Sequence, residues 1–369
     1  MELVDLKVAD SKPGLKKIKN KIITKTIKMK NIKYLLYSLL TLISFSLSAQ
    51  EETTEDEPTF SVAGSIDTYF RSADYAPGTS FANIPGFALG MANVILSYEG
   101  EKSGFVADFV YGPRGVEAVF NSSGSSNIVN QLYAYLNVSD NFTLTLGNWN
   151  TFLGYEVISP TANFNYSTSY MFSYGPFSHT GIKADFTLSE STSLMLAVMN
   201  QTDYTEGNFD SAETGLVFDA YMFGAQLGIS GQYLNLLAGD GYTQFDFTGG
   251  FNLSDSFFLG INATSADMDG SKFSGVALYP QLALSDSFSI GLRGEIFNND
   301  KAGILINDIE TVEADDNTSF TITGSYTSGN LTIKPEIRVD SASANIYSKS
   351  LTDYTDNLAS FVLAAIYAF

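Results

Sequence analysis

The sequence contains no cysteine, and this absence excludes disulfides, thiolate metal sites and a lipid anchor attached to cysteine. Histidine and tryptophan occur once each, so a metal centre built from several histidines is excluded too. After residue 49, no apolar run approaches the roughly 18 residues that a membrane-spanning helix needs. Any passage through a membrane must therefore use β-strands.

Apolar residues are nevertheless plentiful, since 44% of the chain is hydrophobic and 14% is aromatic. The mean hydropathy is only +0.04, so these residues are dispersed among polar ones. Strands that alternate between two faces have such a composition, because each apolar residue is followed by a polar one.

Residues 29–49 have the three parts of a secretory signal peptide. Lys30 and Lys33 precede an apolar stretch at residues 34–47, and small residues lead to a predicted cleavage after Ala49. The apolar stretch is too short for a transmembrane anchor and is followed by acidic residues. The sequence therefore predicts export of the chain.

Residues 1–28 precede this complete signal and are rich in lysine, which predicts an upstream extension, with translation starting at Met29. Residues 50–58 are acidic and lack periodicity, and they are expected to form a flexible periplasmic lead to a barrel at residues 59–369.

The predicted mature chain is strongly acidic. Removing residues 1–49 takes away ten of the 20 Lys and Arg residues and three of the 40 Asp and Glu residues, leaving a net charge of −27. A surface of this charge repels phosphate backbones, so nucleic acid is excluded as a partner.

From residue 59 onward the hydrophobic pattern has a period of two. In the first segment Phe60, Val62 and Ile66 fall on one face, while Asp67 and Arg71 fall on the other. Transmembrane strands alternate in this way, but so do the strands of a soluble sandwich. The number of strands and the lengths of their connections must separate the two classes.

Short and long connections alternate along the chain. Short Ser, Asp, Asn or Gly turns occur at 101–104, 138–142, 188–192, 230–232, 253–257, 284–288 and 328–330. Longer segments lie between them, at 73–85, 112–126, 151–178, 201–219, 239–243, 266–274, 299–316 and 342–357. This alternation predicts an all-β, closed antiparallel transmembrane β-barrel of 16 strands, with short periplasmic turns and long outer loops. If the segment 239–243 is not a loop, 14 or 18 strands are the alternatives.

The same parity rule predicts which side chains point into the lumen. The predicted pore-lining residues on the strands are Asp67, Arg71, Asp108, Trp149, Lys183, Asp185, Arg293, Glu295, Lys334, Glu336, Arg338 and Asp340, with Arg114 on a turn near the mouth. A charge on the lipid face would cost roughly 2–4 kcal/mol for Lys or Arg at mid-bilayer. The rule also places the apolar residues Met91, Ile95, Met195 and Met199 on the lumen face, where polar residues are expected. Alternation alone does not explain these apolar side chains.

The third outer loop, at residues 151–178, is long and rich in aromatic residues. A plain connection needs neither property, so we expect a packed, functional loop that folds inward and narrows the lumen.

Two stretches, residues 85–115 and 130–186, resemble the OmpL-like β-barrel porin family. The first contains PGFALGMANVILSYEG, and the second contains NQLYAYLNVSDNFTLTLGNWNTFLGYE. The resemblance implies an outer-membrane porin, with a homotrimer as one possible assembly. In general porins the third loop forms the constriction, and by resemblance Tyr155, Glu156 and residues 163–166 would lie there.

These observations predict a pore for passive diffusion of small hydrophilic solutes, with a mild preference for cations, no cofactor and no enzymatic activity. Two alternatives stay open. One is a non-conducting barrel that acts as an adhesin or receptor through its surface loops. The other is a sugar-selective pore, because Tyr133, Tyr135, Trp149 and Tyr233 have lumen parity.

The last predicted strand ends in an alternating aromatic pattern. Phe361, Leu363, Tyr367 and Phe369 share one face, which predicts the signal that the barrel-assembly machinery recognises before the barrel meets outer-membrane lipid.

Two further motifs resemble a catalytic site and a calcium site, but a structural role is favoured for both. His179 invites comparison with outer-membrane phospholipases, but its lumen parity favours a hydrogen bond that anchors the third loop. Residues 267–271 resemble the start of an EF-hand loop but lack its closing glutamate, since Leu278 stands there, so an ordinary turn is favoured.

Overall fold

The computed structural model describes residues 58–79, 81–205, 221–239, 241–307, 312–350 and 353–369. The predicted upstream extension, the signal peptide and residues 50–57 of the predicted lead lie outside these residues and stay predictions. No helix in the described ranges is long and apolar enough to cross a membrane.

The described chain forms one closed barrel of 16 antiparallel strands, which confirms the predicted fold and strand number. The barrel strands are β1 (Thr59–Arg71), β2 (Gly86–Glu99), β3 (Ser103–Tyr111), β4 (Val129–Ser139), β5 (Phe142–Asn150), β6 (Ser178–Ser189), β7 (Thr192–Met199), β8 (Met222–Ile229), β9 (Gln232–Gly239), β10 (Tyr242–Asn252), β11 (Phe257–Met268), β12 (Ser271–Ser285), β13 (Phe288–Asp300), β16 (Asp316–Ser328), β17 (Leu331–Ala342) and β20 (Asn357–Ala368). Each pairs with its neighbour along the barrel, and β20 closes the barrel against β1.

Smaller elements lie in the connections. Two hairpins, β14 (Ile306–Asn307) with β15 (Val312–Glu313) and β18 (Tyr347–Ser348) with β19 (Tyr354–Thr355), stand outside the barrel sheet. Short helices occupy Pro113–Ala118, Gly124–Ile128 and Tyr170–Tyr174. All of them belong to the loops of the predicted outer end.

Two segments predicted as longer outer loops are tight connections instead. Only residues 240–241 separate β9 from β10, and only Asp269 and Gly270 separate β11 from β12. Asp269 and Gly270 both have positive φ, at 57° and 100°, as a tight hairpin turn requires. Asp267 accepts a hydrogen bond from the Gly270 amide at 2.9 Å, so the EF-hand-like motif is part of this turn.

The two faces of the wall differ as the parity rule predicts. Along β17, Glu336 and Arg338 are 1% and 2% exposed, whereas Ile337 between them is 52% exposed. The exposed side chains form an apolar outer face that suits lipid, while the charged side chains turn inward.

The methionines that the parity rule turned inward have a physical explanation. Met91 packs with Phe172 and Phe177 of the third loop, and Met195 and Met199 pack with Leu153 of the same loop. Parts of the inner wall are apolar because they cover an inward-folded loop rather than water.

The last residue of the sequence completes the closure of the barrel. Phe369 and Gly64 exchange two main-chain hydrogen bonds of 3.0 Å each, and the Phe369 ring lies against Gly64. The ring therefore covers a position on β1 where the wall has no side chain.

Deletion of Phe369 is expected to reduce the assembled fraction of the barrel by about tenfold or more, because two main-chain hydrogen bonds of about 1 kcal/mol each are lost together with the ring contact. Heat-modifiable mobility of membrane fractions on gels measures this. Phe369→Tyr keeps the ring and the main chain and should assemble normally, and normal assembly of the deletion variant would contradict the expectation.

Candidate functional site within the barrel

Residues 151–177, called loop 3 from here on, run along the inner wall. The Phe152 carbonyl accepts a hydrogen bond from Gln226 on β8 at 3.1 Å. The Gly154 amide donates to Asp246 on β10 at 3.0 Å. Loop 3 therefore leaves β5, passes β8 and β10, and reaches the far side of the barrel.

Two buried glutamates hold the backbone of loop 3 on that far side. Glu336 on β17 accepts hydrogen bonds from the amides of Tyr166 and Ser167, at 2.7 and 3.0 Å. Glu295 on β13 accepts from two further consecutive amides, those of residues 170 and 171, at 2.9 and 2.8 Å. Because the contacts are to main-chain amides, they fix the path of the loop whatever its side chains are.

Buried cations hold the carbonyl groups of the same segment. Arg293 donates to the Ser167 carbonyl at 2.5 Å and to Glu156 at 2.7 Å, and its side chain is fully buried. Arg338 donates to the Thr168 carbonyl at 2.8 Å. Acidic side chains of the wall thus bind amides of this segment, and basic side chains bind its carbonyls.

Lys334 and Asp340 complete this part of the wall. The Lys334 ammonium donates to the carbonyls of Pro160, at 3.2 Å, and Asn163, at 2.5 Å. The Asp340 carboxylate pairs with Arg338 at 2.8 Å, with both side chains 2% exposed. If the two partners of such a buried pair separate, each is left as an uncompensated charge. The pair therefore favours the one arrangement of the wall in which Arg338 and Asp340 are in contact.

Charges from two other elements reach the same loop. Arg114, on the short helix Pro113–Ala118, donates to the carbonyls of Ile158 and Tyr166, at 2.9 and 3.3 Å. The Tyr166 hydroxyl donates to Asp67 on β1. Arg71 on β1 donates instead to the Asn83 carbonyl of the first loop at 3.0 Å, so it fixes a different loop.

Burial raises the pKa values of several groups on the loops. It raises the pKa of Tyr166 far above its ordinary value and that of Tyr155 to about 12, so both phenols stay protonated. Burial also raises the pKa of Asp203 to about 6. The Asp203 carboxylate accepts from the Phe177 amide at 2.7 Å, which joins the fourth loop to the end of loop 3.

Glycines in the wall make room for rings of loop 3. A Cβ atom at Gly291 would lie 2.3 Å from the Phe164 ring, and one at Gly260 would lie 2.5 Å from the Tyr155 ring. Neither distance is possible for a real side chain. The inner wall is therefore shaped for these two rings, and the Tyr155 ring also stacks on Tyr279 at 4.2 Å.

The predicted pore-lining residues fall into two groups. Most are buried, whether against loop 3 or within the wall, as Asp108 is between Asn93 and Asn130. Lys183 and Asp185 on β6 are different, because their side chains are 23% and 38% exposed while they pair at 2.9 Å. This pair presents charge to the solvent inside the barrel.

Of the aromatic residues with lumen parity, Trp149 is buried. Trp149 is 5% exposed and packs with Leu153 and Met199, whereas Tyr133 and Tyr233 stay half-buried. His179 is buried, and its Nε2 lies 3.0 Å from the Thr151 hydroxyl at the start of loop 3.

Sequence reasoning missed Asp246 and the two wall glycines. Asp246 is buried and accepts from Gly154, Asn235 and Asn262. The period-two pattern of β10 could have shown its inward parity. The roles of Gly260 and Gly291 have no local signal, because they depend on rings far away in the sequence.

A 16-stranded barrel with a charged interior and a loop bound along its inner wall has the architecture of outer-membrane porins. The family model described as "Putative beta-barrel porin-2, OmpL-like" matches residues 59–369, so the chain belongs to this family of outer-membrane porins. This confirms the resemblance and the outer-membrane location.

Solved structures show the same fold at low sequence identity. An anion-selective porin from Comamonas acidovorans is 10% identical with a TM-score of 0.56, and the match covers 85% of this chain and all of that one. The trimer form of OmpT from Vibrio cholerae is also 10% identical, with a TM-score of 0.52 and the same coverage. A search of curated sequences gives no match.

Proposed function

We propose that the porin lets small hydrophilic solutes and ions diffuse passively across the outer membrane, with a mild preference for cations and without a cofactor or catalysis. The charge balance inside the barrel carries the cation preference. Among the described residues, the buried charged side chains comprise seven acids and five bases. The acids are Asp67, Asp108, Glu156, Asp246, Glu295, Glu336 and Asp340, and the bases are Arg71, Arg114, Arg293, Lys334 and Arg338.

Neutral donors rather than cations satisfy several of these acids. Asp108 accepts from two asparagine side chains, and Asp246 accepts from two asparagine side chains and one backbone amide. A carboxylate held in this way keeps its negative potential, which attracts cations into a lumen with low-dielectric walls.

The exposed pair on β6 provides the test. Asp185→Asn is expected to lower the ratio of cation to anion permeability, and Lys183→Gln is expected to raise it. Each change should be about twofold, because a screened, solvent-exposed charge contributes less than about 1 kcal/mol. Reversal potentials of the bilayer-reconstituted protein in a salt gradient measure the ratio.

Asp140→Asn, on a short turn outside the lumen, is the control and should leave the reversal potential unchanged. Anion preference of the unmodified protein would contradict the proposed selectivity, and equal shifts in all three variants would contradict the role of the pair.

One observation favours a second function, a non-conducting barrel that binds a partner through its surface loops. Loop 3 packs beneath the other outer loops in hydrophobic clusters, where Tyr170 and Met171 meet Leu305 and Tyr347, and Phe172 meets Phe81. A purified barrel that gives no channels in bilayers, and whose partner binding is lost on shortening these loops, would establish this function instead.

Partners of the barrel are part of the same proposal. The exposed apolar outer face suits outer-membrane lipid, and the face carrying Phe361, Leu363, Tyr367 and Phe369 suits recognition by the barrel-assembly machinery. A homotrimer is supported by the trimer form of a structurally similar porin. Native mass spectrometry of the barrel in detergent distinguishes a trimer from a monomer.

A further inference from the structure

A cavity of about 830 Å³ opens beside loop 3, next to the short turn at residues 329–330. Residues 160–164 of loop 3 form one side, and the inner faces of β11, β12, β16, β17 and β20 form the rest. Its volume lies within the range of about 300–1,000 Å³ that small-molecule sites have. The cavity is therefore large enough to hold a small solute.

Three aromatic rings line this cavity. Tyr155, Phe164 and Phe258 are each half-buried, so part of every ring is accessible from the cavity. The contacts with Gly260 and Gly291 described above hold Tyr155 and Phe164 against the wall. Rings held in this way offer flat apolar surfaces without losing side-chain freedom when a solute binds.

The polar lining is neutral. Gln281, Ser325, Thr327 and Thr332 contribute amide and hydroxyl groups. Lys334 is the charged residue among those that line the cavity, but it is 4% exposed and its ammonium is bonded to two loop carbonyls. A charged solute would find no free counter-charge there. The Gln281 amide donates to the Tyr155 hydroxyl at 3.3 Å and the Thr327 and Thr332 hydroxyls lie 3.1 Å apart, and each group keeps further donor or acceptor capacity for a solute hydroxyl.

We infer that this cavity is a binding site for neutral carbohydrate. A pyranose ring combines an apolar face of C–H groups, which packs on Tyr155, Phe164 or Phe258, with hydroxyls that exchange hydrogen bonds with Gln281 and the threonines. The inference deepens the proposed function and rests on it, because the site lies inside the pore and would give a neutral sugar a preferred position on its way through.

Equilibrium dialysis of radiolabelled maltose against the purified full chain in detergent tests the site. We expect saturable binding in the millimolar range. Phe258→Leu keeps an apolar side chain but removes the ring, and it should weaken binding by about 2- to 10-fold, as expected for one lost aromatic contact. Phe258 lies on the wall and not on loop 3, so the variant leaves the loop contacts in place.

Phe251→Leu is the matched control, because Phe251 lies on the outer face of the adjacent strand β10 and is 40% exposed. This variant should bind maltose as the unmodified protein does. In competition, glucose should displace maltose at least as well as glucuronate does. Absence of saturable binding, equal weakening in both variants, or stronger competition by glucuronate would overturn the inference.

Dialysis needs no conduction, so the two proposals are decided separately. Channels in bilayers without maltose binding would overturn the carbohydrate site and leave the diffusion pore intact. Maltose binding without channels would overturn the diffusion pore.

Discussion

Arg293→Met is expected to release loop 3 from the barrel wall. The substitution keeps an unbranched side chain about as long as the arginine stem but removes the guanidinium that joins Glu156, Ser167 and Thr321. Breaking one partner of a buried ion pair costs about 3–5 kcal/mol. The open fraction of loop 3 should therefore rise by roughly two to four orders of magnitude, with larger and noisier single-channel conductance.

Limited chymotrypsin digestion measures the release directly, because loop 3 contains many Tyr and Phe residues and no Lys or Arg. Arg293→Met should be cut in loop 3 much faster than the unmodified protein. Lys183→Met is the matched control, since it removes an inward positive charge that is paired with Asp185 on the same strand. Equal digestion rates in both variants would show that Arg293 does not hold the loop.

A double variant separates the lost pair from a general packing defect. Adding Glu156→Gln to Arg293→Met removes the charge that was left uncompensated, and it should restore part of the protection against digestion. Failure of this rescue would place the effect in packing and not in the ion pair.

Gly291→Val is expected to push the Phe164 ring off the wall. A Cβ atom at residue 291 would lie 2.3 Å from that ring, so either the ring or the strand must move. Overpacking of this kind costs about 1–3 kcal/mol, which raises the mobility of the loop by about fivefold to 150-fold. Hydrogen exchange of the loop 3 amides, followed by mass spectrometry, measures it.

Adding Phe164→Ala to Gly291→Val removes the ring with which the new side chain collides. Hydrogen exchange in this double variant should therefore be close to that in the single variant Phe164→Ala. Gly294→Val is the control, because a Cβ atom there meets nothing within 4 Å. If Gly294→Val mobilises the loop as strongly as Gly291→Val, the space at Gly291 does not determine the position of the Phe164 ring.

The predictable parts of this protein depend on local periodicity. The alternation that puts Lys334, Glu336, Arg338 and Asp340 on one face of a strand follows from the strand geometry itself, so the sequence contains it. Turn residues mark the strand ends in the same local way. The two wrong loops show the limit, because residues 266–274 predict a longer, irregular connection, whereas Asp269 and Gly270 alone form the turn.

The partners of the inward charges could not be read from the same pattern. Glu336 binds amides 170 and 169 residues earlier in the chain, and Arg293 binds the Ser167 carbonyl 126 residues earlier. Periodicity assigns a face to a residue but no distance across the barrel. The parity rule therefore described these side chains as facing open lumen, and their contacts with loop 3 appear only in the folded structure.

The sequence by itself determined a closed β-barrel of 16 strands, its apolar outer and polar inner faces, and the family to which it belongs, because each depends on residues close together in the chain. Only the tertiary structure decided that most inward charges hold loop 3 or one another, that Lys183 and Asp185 stay exposed, and that a neutral aromatic cavity lies beside the loop. Those features depend on which distant residues the closure of the barrel brings into contact, and packing in three dimensions sets that.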